Sequence, residues 1–361
     1  MAAAFMITIE KLNKDDFEQV VFCNDKTVGL KAIIAIHDTT LGPGTGGCRF
    51  YPYKTEEEAL TDVLRLAKGM TYKSAISRIP FGGGKAVIIG DPHQLKNERL
   101  LERFGEFVNY VGGRYITAKD VGVDGHDLQV ISRKTKHILG IEGAKNSSGD
   151  PSPATAFGIF HGIRAIAKEI FKKESLKGLH FAIQGVGYVG YHLALDLHKE
   201  GATITICDVD KEALHRCQEK LPVTVVDPSK IYDVPCDFFV PCAMGAILNR
   251  ETIPRLKCRV VAGAANNQLA TLQDGYDLIS KNIFYAPDYA LNAGGIINIA
   301  EELQGYDQKR AYDRISHIYE TMIEIIRRSE KEKKPTFLIA NQMAEEIIES
   351  AKKRSPGQAG G

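Results

Sequence analysis

Apolar residues recur at two different spacings along this chain, and the changes of spacing mark its elements. Between positions 55 and 80 they fall at Ala59, Val63, Leu66 and Met70, spaced i, i+4, i+7, i+11, which predicts one face of an α-helix. Thr55 followed by Glu58 predicts its start, because the two side chains can satisfy free backbone N–H groups there. Three residues further along the same stripe comes Lys73, an ammonium directed toward the core. The helix is expected to give out near Ile79 and Pro80, with a sharp glycine turn over residues 82–84. The run 86–89, closed by Gly90, Asp91 and Pro92, then predicts a buried strand with Lys85 at its mouth.

The same reading predicts a short helix over 15–23, an apolar strand over 30–36, and an exposed turn or loop over 41–49 (LGPGTGGCR). A helix over 100–111 and a strand over 114–118 follow, and Asn, Ser, Gly, Asp and Pro then crowd 144–153 as a hinge or domain boundary. Beyond it lie a long helix over 154–171, a strand over 179–183, a helix over 192–199 and a strand over 203–207. Short strands are predicted at 238–240, 259–262 and 283–285, with helices over 311–328 and 337–353 joined by a solvated SEKEKK linker. The tail SPGQAGG is expected to be disordered. Alternating strands and helices make this an α/β protein, and 361 residues exceed what one core usually organises. Two domains are expected, over 1–148 and 149–335. Residues 336–361 form a C-terminal helix and tail.

Chemistry concentrates at a few places. Lys73 and Lys85 directed into one pocket would disfavour each other's charge, and desolvation would add to this, so a lysine there can exchange protons near neutral pH. The plainer alternative is that both snorkel to the surface. Gly46 and Gly47 present backbone N–H groups unobstructed by side chains, suited to a carboxylate or carbonyl oxygen, or else they form a hairpin corner. Asp120 closes a strand, a placement shared by catalytic groups and by plain helix caps. Thr155 sits in a first helical turn with a hydroxyl to offer the cleft. The run Gly185, Val186, Gly187, Tyr188, Val189, Gly190 is a full G-x-G-x-x-G between strand and helix. Asp208 follows its first glycine by 23 residues at the end of the next strand, spaced to hold a ribose hydroxyl and to repel a 2′-phosphate, which favours NAD over NADP. Ala243, Asn267 and Asn292 lie at or after later strand ends, where ligands sit in doubly wound sheets.

Composition narrows the classes. A net charge of +1 without basic or acidic blocks argues against nucleic acid as the main partner. The start MAAAFMITIE is too soon interrupted by Glu10 and Lys11 to be a secretory signal, and no apolar run reaches the length of a membrane span, so a cytoplasmic protein is expected. Seven cysteines with no C-x-x-C pair argue against a disulfide framework or zinc site, and the histidine spacings suggest no metal.

The motifs LGPGTGGCR, MTYKSA, GGGKAVIIGDP, RYITAKDVG, GVGYVG, AGAANNQL and APDYALNAGG, in this order, closely resemble the NAD-dependent amino-acid dehydrogenases, the leucine-specific members most of all. The resemblance implies reversible oxidative deamination of an L-amino acid to its 2-oxo acid and ammonia. It implies NAD as cofactor, a homo-oligomer, and a substrate cleft between a catalytic and a Rossmann domain. Carried over by position, Lys73 would bind the α-carboxylate and Gly46 and Gly47 would offer N–H groups. Lys85 would activate the attacking water, and Asp120 would carry protons to and from the substrate nitrogen. Thr45, Met70, Ala118, Ile296 and Ile299 would line the side-chain pocket. Thr45 stands where a leucine is usual and would give a shorter, partly polar wall. Lys119 replaces an acid beside Asp120 and would lower its pKa on close approach, and Val123 with Asp124 is an unusual pair. Leucine, valine and isoleucine are the expected substrates. Phenylalanine or tryptophan is the second reading, and a non-catalytic NAD-binding regulator the third.

Overall fold

The computed structural model describes residues 17–144 and 146–354, so the amino-terminal segment and the SPGQAGG tail lie outside the described residues. The chain divides into two compact units: residues 1–149 with 302–306 and 344–361, and residues 150–301 with 307–343.

The first unit is built on a five-stranded mixed sheet in the order β1-β2-β4-β3-β5. Its strands are β1 (Gln19–Asp25), β2 (Leu30–Asp38), β3 (Gly44–Tyr51), β4 (Gly82–Ile89) and β5 (Tyr115–Lys119). β1 and β4 run antiparallel to β2, whereas β3 lies parallel to both β4 and β5. Helix α1 (Glu56–Ile76) covers one face through Ala59, Leu60, Val63 and Ala67 against Ile33, Ala35 and Val87. Helices α2 (Glu98–Tyr110) and α3 (Gly125–Ser132) cover the other through Phe104, Val108, Leu128 and Ile131 against Cys48, Phe50, Ala86 and Ile88. α1 starts as expected, with Thr55 accepting from the Glu58 N–H, while the Glu58 carboxylate reaches back to the Lys54 N–H. Asp124 is a cap as well, in a reciprocal box with Asp127 at the start of α3, which accounts for its presence after Val123.

Four expectations are corrected. The segment expected as a helix over 15–23 contains an edge strand, β1, from Gln19 onward. LGPGTGGCR is no exposed loop: from Gly44 it is a central strand, buried from Gly44 to Cys48. Gly82, Gly83 and Gly84 make no turn but open β4, and Lys85 is the fourth residue of that strand. The reason is space. A Cβ on Gly46 would lie 2.0 Å from the Gly84 oxygen, and one on Gly83 would lie 1.9 Å from Thr71 Oγ1 of α1. Lastly, the helix expected over 311–328 is two helices broken at His317, and the SEKEKK run is mostly the helical end of the second rather than a linker.

The second unit carries a fully parallel six-stranded sheet in the order β11-β10-β9-β6-β7-β8. Its strands are β6 (His180–Gln184), β7 (Thr203–Cys207), β8 (Thr224–Val225), β9 (Phe238–Pro241), β10 (Val260–Val261) and β11 (Phe284–Tyr285). This is the doubly wound dinucleotide-binding order, with its topological switch beside β6. The long helix α4 (Ser152–Phe171), the fingerprint helix α5 (Tyr188–Lys199) and helix α8 (Gly294–Ala300) belong to this unit, as do α6 (Lys211–Lys220), α7 (Leu272–Ser280), α9 (Gln308–Ser316) and α10 (Ile318–Glu332). The last helix, α11 (Thr336–Arg354), is divided between the units, and its Ala344 and Ile348 pack with Ala75 of α1.

The glycine contacts yield a stability test. Gly83→Ala forces a Cβ into α1 and is expected to destabilise the protein by about 1–3 kcal/mol or more, as overpacking does. Gly69→Ala, on an exposed stretch of α1 with nothing within 4 Å of the added Cβ, should instead stabilise by up to about 1 kcal/mol. Denaturant unfolding of both variants distinguishes the cases; equal effects would mean that the strand glycines are not held by contact.

Candidate functional site

Strand periodicity decides which side chains share a face. Thr45 of β3 lies beside Gly83 of β4, and Gly47 beside Ala118 of β5. Side chains two apart on a strand point the same way, so Thr45, Gly47 and Arg49 share the α1 face with Lys85, Ala118 and, just past the end of β5, Asp120. The β3–β4 pairing skips Gly46 and Gly47 and resumes at Cys48 opposite Ala86. There the strand is drawn in so tightly that a Cβ on Gly47 would lie 2.3 Å from the Lys119 oxygen and 2.8 Å from the Asp120 Cβ. Asp120 thus rests directly on Gly47. Met70 of α1 is the side chain nearest Gly46, at 3.3 Å from the position of its absent Cβ.

On this face lies a chain of charges. Lys85 Nζ is 2.5 Å from Asp120 Oδ2, with the two side chains 8% and 18% exposed. Arg49 Nε lies 3.5 Å from the same oxygen, and its Nη1 donates to Asp62 Oδ2 at 2.9 Å. Tyr53 donates its hydroxyl to that Asp62 oxygen at 2.7 Å. Burial pushes the Asp120 carboxyl up, but Lys85 and then Arg49 outweigh it and hold the group below its ordinary 3.8. It is therefore an anion at neutral pH. Burial pushes the neighbouring Cys48 thiol and Tyr115 hydroxyl well up, so both stay neutral. Lys119 takes no part in this: it points to the opposite face, 3.8 Å from Glu142, and the expectation that it lowers Asp120 gives way to Lys85 and Arg49.

Two further expectations change at this site. The buried ridge of α1 runs through Ala59, Val63, Ala67 and Thr71, while Leu66, Met70 and Lys73 form a half-buried row beside it that begins at Asp62. Lys73 is thus half-buried at the edge of the face rather than aimed into the core. Thr45 is fully buried and turns its hydroxyl to the Pro43 carbonyl at 3.0 Å, so it offers no polar wall. Arg49, Asp62 and Tyr53 were not anticipated. The available signal was the period of two from Gly47 to Arg49 and the helical row ending at Lys73.

In the second unit each fingerprint glycine answers to a separate requirement. Gly185 has φ +93°, and a Cβ there would lie 2.8 Å from that of Ala243; a Cβ on Gly190 would lie 2.1 Å from the Gly185 oxygen. Gly187 has nothing within 4 Å, leaving open space at the start of α5, whose first N–H groups no side chain caps. Val186 is buried, Tyr188 is exposed and Val189 half-buried. Asp208 is fixed by two backbone donors, Val186 N–H to Oδ2 at 2.7 Å and Asp210 N–H to Oδ1 at 2.9 Å. Open space at an uncapped helix N-terminus beside a fixed carboxylate fits a dinucleotide's pyrophosphate and ribose.

Asn267 adopts a left-handed φ of 51°, with its carbonyl accepting the Ala246 N–H at 2.7 Å. Asn292 is buried and donates to the Ala264 carbonyl at 2.9 Å and Asn266 Oδ1 at 2.8 Å, while its own Oδ1 has no hydrogen-bond partner among the described residues. Thr155 donates its hydroxyl to the Pro151 carbonyl at 2.9 Å and backs onto Gly295. Ile296 and Ile299 are half-buried on α8. The structure thus gathers Thr45, Gly47, Lys85, Ala118 and Asp120 on one face of the first unit, with Met70 beside Gly46, and the fingerprint, Asp208 and Ala243 at one end of the second sheet.

Family models match both halves of the chain. Residues 17–137 match the model of the Glu/Leu/Phe/Val dehydrogenase dimerisation domain, and residues 208–355 that of glutamate/leucine/phenylalanine/valine dehydrogenase. A leucine dehydrogenase of Geobacillus stearothermophilus is 51% identical over 342 residues, 94% of this chain and 93% of that protein. A phenylalanine dehydrogenase of Bacillus thermotolerans is 46% identical over 94% of this chain and 90% of that protein. The crystal structure of L-tryptophan dehydrogenase from Nostoc punctiforme superposes with a TM-score of 0.82 at 41% identity, covering 95% of this chain and 99% of that one.

The charge pair has a thermodynamic signature. Because Asp120 is held below its ordinary 3.8 in the fold, its stabilisation is present above about pH 4 and disappears as pH falls through the folded value. Denaturant unfolding over roughly pH 2–5 should show wild type losing stability with acid more steeply than Asp120→Asn. Parallel acid dependences in the two proteins would refute the pairing.

Proposed function

The chain belongs to the Glu/Leu/Phe/Val dehydrogenase family, and from that premise we propose that it catalyses the reversible, NAD-dependent oxidative deamination of branched-chain L-amino acids, leucine, valine and isoleucine, to the 2-oxo acid and ammonia. The observation that carries this reading is the Lys85–Asp120 pair on the glycine-lined face beneath α1. Leucine-specific relatives at about half identity over nearly the whole chain support the substrate class.

In this mechanism Lys73 binds the substrate α-carboxylate, and Gly46 and Gly47 offer it backbone N–H groups where the β3–β4 pairing is interrupted. NAD supplies the hydride acceptor for the substrate α-carbon. Asp120, an anion at neutral pH, takes a proton from the substrate ammonium. Lys85 enters the reaction as a neutral amine, having released its proton to solvent, and so faces an ionised Asp120 until that transfer. Lys85 then accepts a proton from the water that attacks the imine carbon, and Asp120 returns one to the departing ammonia. Thr45, Met70 and Ala118 of the first unit give the substrate side chain an apolar wall in this reading. Thr45 serves it with its methyl, since its hydroxyl is committed to Pro43.

For the cofactor, residues 185–190 would hold the pyrophosphate, Asp208 would accept the ribose hydroxyls, and Ala243, Asn267 and Asn292 would be further contacts. Each Asp208 oxygen takes one backbone N–H and keeps acceptor capacity, and its charge opposes a 2′-phosphate, which selects NAD over NADP. The unit matching a dimerisation-domain model serves homo-oligomer assembly. The free cysteines suit a reducing cytoplasm, and no helix among the described residues is long and apolar enough to cross a membrane. An aromatic L-amino acid is the second reading, resting on the phenylalanine-specific relative.

NADH formation measured by absorbance across the L-amino acids should show turnover with leucine, valine and isoleucine, and Lys85→Ala should lower it by at least about 100-fold. Turnover confined to phenylalanine or tryptophan would select the second reading. NAD binding without turnover of any amino acid would reject both and leave a regulator.

For the cofactor, Asp208→Ser should cut the preference for NAD over NADP by about tenfold or more, since it removes the charge facing the 2′ position. An unchanged ratio of kcat/KM for the two would place the discrimination elsewhere.

A further inference from the structure

Arg49 sits between two carboxylates on the face that carries Lys85. It shares that face by strand periodicity, two residues beyond Gly47, and its side chain is 21% exposed. Nη1 is committed to Asp62 Oδ2 at 2.9 Å, and Asp62 is itself fixed by the Tyr53 hydroxyl at 2.7 Å and by Arg65 on its other oxygen at 3.2 Å. Toward Asp120 the arrangement is unfinished. Arg49 Nε is buried without a hydrogen bond and lies 3.5 Å from Asp120 Oδ2, the oxygen that Lys85 holds. A closing motion of about 0.5 Å would pair them at ordinary hydrogen-bond length.

Asp120 is faced from several elements, and they differ in how they titrate. β4 contributes Lys85 and β3 contributes Arg49 and the neutral Cys48 thiol; β5 contributes the neutral Tyr115 hydroxyl. Asp62 of α1 reaches Arg49, and Lys119 faces Glu142 across the sheet. Of the cations among these groups only the guanidinium keeps its charge at every pH at which an amine can be deprotonated. To act as a base Lys85 must first be neutral, and a neutral Lys85 no longer compensates Asp120; a buried carboxylate left without a counter-ion would take up a proton or turn away.

We propose that Arg49 is a positioning residue for the acid–base pair: tethered by Asp62 and Tyr53, it holds the Asp120 carboxylate against Lys85 and supplies its counter-charge while Lys85 is neutral. The proposal rests on the reading of Lys85 and Asp120 as that pair. Arg49 touches neither substrate nor cofactor in this role, and Asp62 orients Arg49 as the third member of the series.

The test compares wild type with Arg49→Gln, Arg49→Lys and Tyr53→Phe as intact purified enzymes, by pH-dependent kinetics on the preferred amino acid and by crystal structure. Arg49→Gln should lower kcat by about 10–100-fold, the scale of a misplaced catalytic group, with KM within about twofold. Its acid limb should move to higher pH, because the carboxylate has lost a cation. Arg49→Lys should recover part of kcat and return the limb toward wild type, and Tyr53→Phe should give a smaller change of the same sign. The Arg49→Gln crystal structure should show the Asp120 carboxylate turned from Lys85. An unmoved acid limb with Asp120 in place would overturn the proposal, as would a rise in KM alone, which would make Arg49 a binding residue. Wild type inactive on every amino acid would instead defeat the functional reading, and the Asp120 geometry in Arg49→Gln would still decide whether Arg49 positions it.

Discussion

The first unit depends on backbone meeting backbone where no Cβ fits. Gly46 abuts the Gly84 carbonyl, Gly47 the Lys119 carbonyl and Asp120, Gly82 the Asp38 carbonyl, and Gly83 the side chain and backbone of Thr71. Glycine in a strand is entropically unfavourable, so six of them in two adjacent strands are tolerated only because the approach they permit is worth more. That approach brings α1 down onto β4 and Asp120 against β3. Lys85 is consequently shut under the helix with one anion beside it, in a setting where desolvation is costly and the counter-ion must be held closely. The packing and the electrostatics are a single constraint.

Glycine serves the opposite end in the second unit. Gly185 and Gly190 also mark close contacts, with Ala243 and with the Gly185 carbonyl, but Gly187 has nothing around it. In the first sheet the missing side chains let the protein approach itself; at the head of α5 a missing side chain leaves room for another molecule. The difference lies in what stands opposite the residue, which a neighbour-by-neighbour reading of a glycine-rich stretch does not contain.

This explains which parts of the molecule were legible beforehand. α1, the β4 run after Lys85, and the β6–α5–β7 sequence ending in Asp208 follow from local rules of period, capping and turn, and they were readable. β3 was not. Local propensity assigns LGPGTGGCR to a loop, whereas the strand exists because β4 and β5 leave its glycines just enough space. The Lys119 substitution looked consequential because it is adjacent to Asp120 in sequence, but alternation across the strand sends it to the other face. Arg49 escaped for the converse reason, lying far from Asp120 in sequence and beside it across the sheet.

The row Asp62, Leu66, Met70, Lys73 on α1 gathers these threads. Its spacings of four, four and three place it along one edge of the buried ridge, half-exposed throughout. At one end a carboxylate fixes Arg49, in the middle Met70 lies over Gly46, and at the other end comes the ammonium of Lys73. A polar residue at each end and apolar residues between them look like poor amphipathicity when averaged over the helix. Arranged along a single row they follow the sequence of demands made by the sheet beneath: a counter-ion for the charge network, then an apolar cover for the glycines, then a cation. Because the helix is rigid and Thr71 sits against Gly83, none of these can shift without the others. The register of α1 on β4, fixed by glycine contact, therefore sets the geometry of the charges as well as the packing.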